Sequence, residues 1–204
     1  MTRSAPVLAA LAVALTGCAA SPPLAAGLSA DAPRSIELAS TPYFPQEEYQ
    51  CGPAALAMLL VASGVDVRPE TLAPEVFIPG RKGSLALELV GATRRHGRLP
   101  YVLATTADEM VDELEAGRPV LVLQNFGVSK LPIWHYAVLI GYDADRNVAV
   151  LRSGDEKRVE MKWQRFAGTW HRGGRFALTT LHPGEIPAHA TPARFIEAAA
   201  GLEA

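Results

Sequence analysis

The sequence predicts an α+β fold in which one central buried helix packs on an antiparallel sheet. Three observations carry this. Residues 52–63, Gly-Pro-Ala-Ala-Leu-Ala-Met-Leu-Leu-Val-Ala-Ser, form a helix that is apolar on every side, and such a helix belongs in the middle of its domain. Beyond Pro119 the chain becomes strand-like, with runs rich in Val, Leu and aromatics separated by turn signals. The order, helices first and then strands, argues against a doubly wound α/β sheet.

The elements follow in chain order. Residues 35–38 read as a short lead-in strand, and Thr41-Pro-Tyr-Phe-Pro45 as an extended, proline-stiffened approach ending at Gln46. In the central helix Pro53 suits the first turn and Gly64 the stop. Residues 69–76 predict a short helical turn, and 77–83 a loop. Ser84 is expected to cap a helix running to Arg95, with Leu85, Leu89 and Ala92 on one face. A strand is predicted over 99–103, and Thr106-Ala-Asp-Glu109 has the capping-box pattern of a helix ending at Gly117. Strands are predicted over 119–126, 134–142 and 147–151, the last two joined as a hairpin by residues 143–146. Shorter strands over 159–161 and 175–181 flank a helical stretch near 162–169. The tail, 183–204, carries one short helix over 192–200, and no internal repeat is visible.

The 204 residues suit one domain with appendages, and 49% hydrophobic content supplies a core. With 19 Lys+Arg against 21 Asp+Glu the chain lacks the positive field that nucleic-acid binding draws on. No apolar run is long enough for a spanning helix. The start has the layout of a secretory signal: Arg3, an apolar run over 5–15, then the small residues Thr16-Gly17 before Cys18. Leu15-Thr16-Gly17-Cys18 also resembles a bacterial lipobox. That implies removal of residues 1–17, acylation of Cys18 and attachment to the membrane by lipid. Residues 18–34, rich in Ala, Ser and Pro, are expected to be a tether, leaving 35–182 as the folded domain. Alanine after the lipobox cysteine resembles lipoproteins of the outer membrane facing the periplasm.

With Cys18 lipidated, Cys51 is the remaining thiol of an exported chain, where an unpaired cysteine signals either reactivity or a small buried hydrophobe. Its place at a helix N-terminus favours the thiolate, because the macrodipole and the free backbone N–H groups stabilise negative charge. A base is therefore expected nearby. Among five histidines, His96, His171, His182 and His189 fall at a helix end, a turn, a strand end and the tail. His135 opens the apolar strand Tyr136-Ala-Val-Leu-Ile-Gly-Tyr142, a rigid mount for a general base or, equally, a satisfied sheet-edge histidine.

Together the residues resemble the C39 peptidases and C39-like proteins. Gln46-Glu-Glu-Tyr-Gln-Cys51-Gly52-Pro53 followed by an alanine-rich helix resembles their nucleophile motif, and Trp134-His135-Tyr136 with the following strand their histidine strand; the similarity spans about residues 40–182. The resemblance implies a papain-like cysteine peptidase fold, with Cys51 as nucleophile and His135 as base. Gln46 and the Cys51 N–H would be the oxyanion donors, with Gln50 as a competitor for the Gln46 role. One position departs from the pattern. Where the family places an aspartate to orient the imidazole, the count falls on Arg152 or Ser153, and Ser153, Asp155, Asn125 and Gln124 are the candidate replacements.

Two functions are compatible with this pattern. One is hydrolysis of a peptide bond through an acyl-enzyme on Cys51. The other is a catalytically impaired domain that binds a peptide or protein partner in the same cleft. No cofactor or metal is called for, since one cysteine and scattered histidines make no closed zinc set. The Gly-Gly leader specificity of the exporter-fused relatives is not carried over, because this chain has no phosphate loop and no spanning helices.

Overall fold

A computed structural model describes residues 23–26, 28, 31–46 and 50–200. Cys18 and the signal segment therefore lie outside the described residues. The elements are β1 (Ser35–Glu37), α1 (Cys51–Ala62), α2 (Pro69–Val76), β2 (Phe77–Ile78), β3 (Gly83–Ser84), α3 (Ala86–Arg95), β4 (Leu99–Val102) and α4 (Ala107–Glu115). They continue with β5 (Val120–Asn125), β6 (Trp134–Asp143), β7 (Val148–Ser153), β8 (Glu156–Lys162), α5 (Trp163–Arg172), β9 (Ala177–Leu181) and α6 (Pro192–Ala200).

One antiparallel sheet runs in the order β4-β9-β5-β6-β7-β8, and β1 pairs with the far end of β6 where β5 stops. Period-two alternation divides its side chains between two cores. Leu121, Tyr136, Val138 and Ile140 pack with Leu56, Leu59 and Leu60 of α1. Val122, Ala137 and Leu139 pack with Met110 of α4 and Trp163, Phe166 and Trp170 of α5. The sheet is thus buried on both faces, and α1, with nine consecutive buried residues from Gly52 to Leu60, is the interior helix its composition requires. It ends at Ser63, and Gly64 takes the positive φ of +84° that releases the chain.

Three local expectations are corrected. Ser84 is not a helix cap, because it lies in β3 of a small β2–β3 hairpin that replaces the predicted loop; α3 starts after Leu85 without a side-chain cap. Thr106 precedes α4 without capping it, and the Glu109 carboxylate instead accepts from Ala104 N–H and pairs with Arg194 of α6. The tether expectation for 18–34 also fails over its described part. Leu24 is buried in the α5-side core with its N–H on Asn147 Oδ1. Pro33 O accepts from Tyr142 OH, and Ala144 N–H bonds Arg34 O, so these residues strap the closed end of the β6–β7 hairpin. Apolar area recovered by burying Leu24 and Leu28 is what an Ala/Pro-rich reading overlooked.

Candidate active site

Cys51 is the first residue of α1 and His135 the second of β6; both line one cavity of about 750 Å³ together with Gln46, Ser84, Trp134 and Tyr136. The sequence-predicted trio thus converges. What brings Cys51 to the strand is an unusually close approach at Gly52. A Cβ placed there would sit 2.3 Å from Ser84 Oγ and 2.6 Å from Ser84 Cβ, so only glycine lets the helix start lie against β3.

The thiol lies beside β6 where that strand has lost its partner. Pairing of β6 with β7 ends at Val138↔Arg152, which leaves the Tyr136 backbone without a strand on that side. Burial pushes the Cys51 thiol up, while the N–H groups of Tyr136, Gly52 and Cys51 point at the sulfur and oppose the shift. The expectation that the helix terminus leaves the thiol depressed is therefore corrected. Removal of water outweighs the backbone donors, because the charged form loses most by desolvation.

Gln46 fills the gap between the two strands. Its Nε2 donates to Tyr136 O at 3.1 Å, its Oε1 accepts from Gly154 N–H at 2.8 Å, and its own N–H donates to Gly154 O at 3.0 Å. The side-chain amide thereby continues the ladder beside the thiol, with the second Nε2 hydrogen left over. Gln50 takes the other role foreseen for it, as the helix-entry residue whose carbonyl accepts from Ala54 N–H.

His135 is half-buried, and burial holds its imidazole below the usual histidine range, so the ring is neutral at pH 7. Its Nε2 is hydrogen-bonded to Ser153 Oγ at 2.8 Å. The hydroxyl accepts when Nε2 carries the proton and donates when Nδ1 does. Phe126, which the sequence reading did not single out, lies 5.8 Å away, ring centroid to ring centroid, and confines the imidazole.

Of the candidates for the orienting role, the structure therefore brings Ser153 to the ring. Asp155 is exposed on the following turn. Asn125 Oδ1 accepts from Gly127 and Ile133 N–H and holds the loop before His135, while Gln124 donates to Thr169 Oγ1 at 2.6 Å. Arg152, one residue before Ser153, is buried and donates to the carbonyls of Lys157, Ala39 and Thr41. It ties the chain before Gln46 to the β7–β8 turn.

A thiol at a helix start, an imidazole hydrogen-bonded to a hydroxyl, and a fixed amide lining the same cavity are groups of the kind that papain-like cysteine hydrolases use. The family model described as "Peptidase_C39 like family" matches residues 39–178, and the chain belongs to that family. Solved structures agree in fold. A chain from Bacillus anthracis described as a C39-like peptidase superposes with a TM-score of 0.60 at 19% identity, covering 72% of this chain and 97% of that one. The peptidase domain of Streptococcus ComA, a bi-functional ABC transporter of a quorum-sensing pathway, gives 0.56 at 23%, covering 70% and 98%. A double glycine motif protease from an AMS/PCAT transporter, solved with its leader peptide, gives 0.50 at 24%, covering 70% and 91%. Comparison with curated proteins gave no match. Among the described residues no helix is long and apolar enough to cross a membrane.

Proposed function

We propose that the protein is a lipid-anchored cysteine peptidase that hydrolyses a peptide bond through an acyl-enzyme on Cys51. The hydrogen bond between Ser153 and His135, whose ring lines the same cavity as Cys51 and Gln46, is the observation that carries this reading. With Nε2 engaged by Ser153, Nδ1 takes the thiol proton as sulfur attacks the carbonyl carbon. The oxyanion is met by the Cys51 N–H and the second Nε2 hydrogen of Gln46. The imidazolium then returns its proton to the leaving amine, and water, deprotonated by the same ring, hydrolyses the thioester.

Attachment is assigned to Cys18 by the Leu15-Thr16-Gly17-Cys18 run, at the outer membrane facing the periplasm. Because Leu24 is docked, at most about 20 Å of chain separates lipid from domain. Leu24 meets Asn147, close to the β6–β7 turn, whereas His135 lies near the opposite end of the ten-residue β6, roughly 26 Å from Asp143 at that turn. The cleft then opens away from the anchoring membrane. Fractionation tests the anchor: Cys18→Ala should appear in the soluble fraction, and a variant still in membranes after a high-salt wash contradicts it.

The second reading, a peptide-binding domain without turnover, is favoured by the serine that stands where a carboxylate would orient the imidazole. Acid-quenched intact-mass spectrometry separates the two. A thioester adduct on Cys51 during incubation with peptides, absent in Cys51→Ala, supports the peptidase; tight peptide binding without any adduct supports the alternative.

A further inference from the structure

We propose that the exposed face of α5 is a membrane-docking surface. Its basic stripe lies on the phosphates of anionic lipid headgroups, which holds the anchored domain with α5 toward the bilayer and the α1 side, where Cys51 sits, away from it. The proposal rests on the lipid attachment at Cys18 proposed above.

Between Glu160 and Glu185 the sequence holds Lys162, Arg165, Arg172 and Arg175 and no acidic residue, in a chain whose net charge is -2. The fold gathers these cations on one surface. Trp163, Phe166, Thr169 and Trp170 of α5 turn into the core, which leaves Arg165 and Arg172 exposed along its outer side, with Lys162 exposed just before it and Arg175 just beyond it. Arg165 and Arg172 are two helical turns apart and so share a face at a spacing of about 10 Å. Gly168 lies between them. A Cβ there would come 3.6 Å from a terminal nitrogen of Arg172, so that guanidinium reaches back over Gly168 toward Arg165.

Among the described residues none of these four cations is in an ion pair. Lys162 donates to Arg146 O, Arg172 to Asn125 O, and Arg175 to His171 Nδ1 and Thr105 O. The acids of α4, on the same side of the sheet, supply no counter-charge, because Glu109 pairs with Arg194, Asp112 with His189 and Glu113 with Arg118. A row of guanidinium groups with donors to spare fits an array of phosphates. The strap says which array. Leu24 is buried in the core on the α5 side, and its N–H meets Asn147 Oδ1. Asn147 in turn donates from Nδ2 to Gln164 Oε1 at 2.8 Å and accepts from Trp163 N–H at 2.9 Å. The chain coming from Cys18 therefore enters beside the first turn of α5, and a lipid within about 20 Å of Leu24 brings headgroups to this face. The helix that carries Cys51 packs on the opposite face of the sheet.

Each Lys or Arg at an anionic surface strengthens association about fivefold, so removing two weakens docking about 25-fold. The test uses the full chain purified from cells, in vesicles of phosphatidylcholine alone or with about 30% phosphatidylglycerol. Phenylglyoxal modification is read arginine by arginine by mass spectrometry. With phosphatidylglycerol, Arg165, Arg172 and Arg175 should react about fivefold or more slowly than on phosphatidylcholine, and about 0.5 M NaCl should abolish the difference. Arg68 and Arg81, on the α1 side, should not change. Lys162→Gln with Arg165→Gln should remove the protection of Arg172, and Lys162→Arg with Arg165→Lys should keep it. Arg68→Gln with Arg81→Gln takes the same charge from the other side and should leave it in place. No protection, protection of all arginines alike, or protection that survives Lys162→Gln with Arg165→Gln overturns the proposal. Protection by a soluble acidic protein but not by phosphatidylglycerol also overturns it and assigns the stripe to a protein partner. Intact mass shows whether Cys18 carries lipid; if it does not, the anchor reading fails instead. Co-sedimentation of that same protein with the two kinds of vesicle then decides this proposal. Pelleting should need phosphatidylglycerol and weaken about 25-fold in Lys162→Gln with Arg165→Gln, and equal pelleting with both vesicles, or none, overturns it.

Discussion

Replacing Ser153 by alanine removes the polar group that, among the described residues, the structure brings to His135 Nε2, and leaves the other cavity-lining side chains in place. The cost follows from the change in the ring during attack. A hydrogen bond between neutral groups contributes about 1 kcal/mol net and one to a charged group about 2 kcal/mol. Loss of the serine therefore penalises the imidazolium-like transition state by about 1 kcal/mol beyond the ground state, a factor of about five. Poorer ring orientation adds to this, though the Phe126 ring still packs against the imidazole. The expected fall in kcat/KM is about 5- to 20-fold. Ser153→Asp should act oppositely. Its carboxylate accepts the Nε2 proton, fixes the tautomer with Nδ1 toward the thiol and favours the imidazolium. Burial lowers the His135 pKa, and the neutral ring is the active base, so activity in the native chain falls only as pH drops below the ordinary histidine range of about 6.5. In Ser153→Asp that acid limb should move to higher pH. The assay is kcat/KM from pH 5 to 9 on a peptide the native chain cleaves, with thermal melts confirming that both variants fold. If Ser153→Ala leaves kcat/KM and the acid limb unchanged, the orienting role is refuted.

Gln46→Ala should lower kcat/KM by about 10²–10³, the usual effect of losing an oxyanion donor, and should also lower stability by about 1–2 kcal/mol because Gly154 N–H loses its acceptor. Activity within threefold of the native chain would remove it from the site. Arg152→Ala strips donors from three backbone carbonyls and should cost about 3 kcal/mol, a fall of about 9 °C in melting temperature, with turnover per folded molecule preserved. Loss of turnover at unchanged stability would contradict the structural role. Because burial raises the Cys51 thiol, alkylation by iodoacetamide should be slow at pH 6 and rise with an apparent pKa at or above about 8.5. Mass spectrometry of Cys51 measures this, and a midpoint below pH 7 would show a preformed ion pair.

What the sequence revealed and what it hid divide along local against non-local physics. α1 was legible because twelve residues carry their own signal: a proline in the first turn, an unbroken apolar run and a stop glycine. β5, β6 and β7 were legible from their Val and Leu content, and the pairing of β6 with β7 from the short turn between them. The position of β9 between β4 and β5 was not, since those contacts join segments about 55 to 80 residues apart with no local trace. Ser84 had the composition of a helix cap, yet the approach of Gly52 and the two-residue β3 pairing decide its place. Leu24 was hidden in an Ala/Pro-rich stretch whose docking depends on Asn147, far along the chain. For the site, Cys51, His135 and Gln46 were read from two motifs. The choice among Ser153, Asp155, Asn125 and Gln124 required the strand register and side-chain positions, which put only the first at the imidazole.

The central claim is that Cys51 and His135 together break a peptide bond. Its most direct test digests one defined peptide mixture with the native chain, Cys51→Ala and His135→Ala, each shown to be folded, and counts new peptide termini by mass spectrometry. New termini should appear with the native chain and be absent with both variants. The same termini at comparable rate with Cys51→Ala would contradict the account.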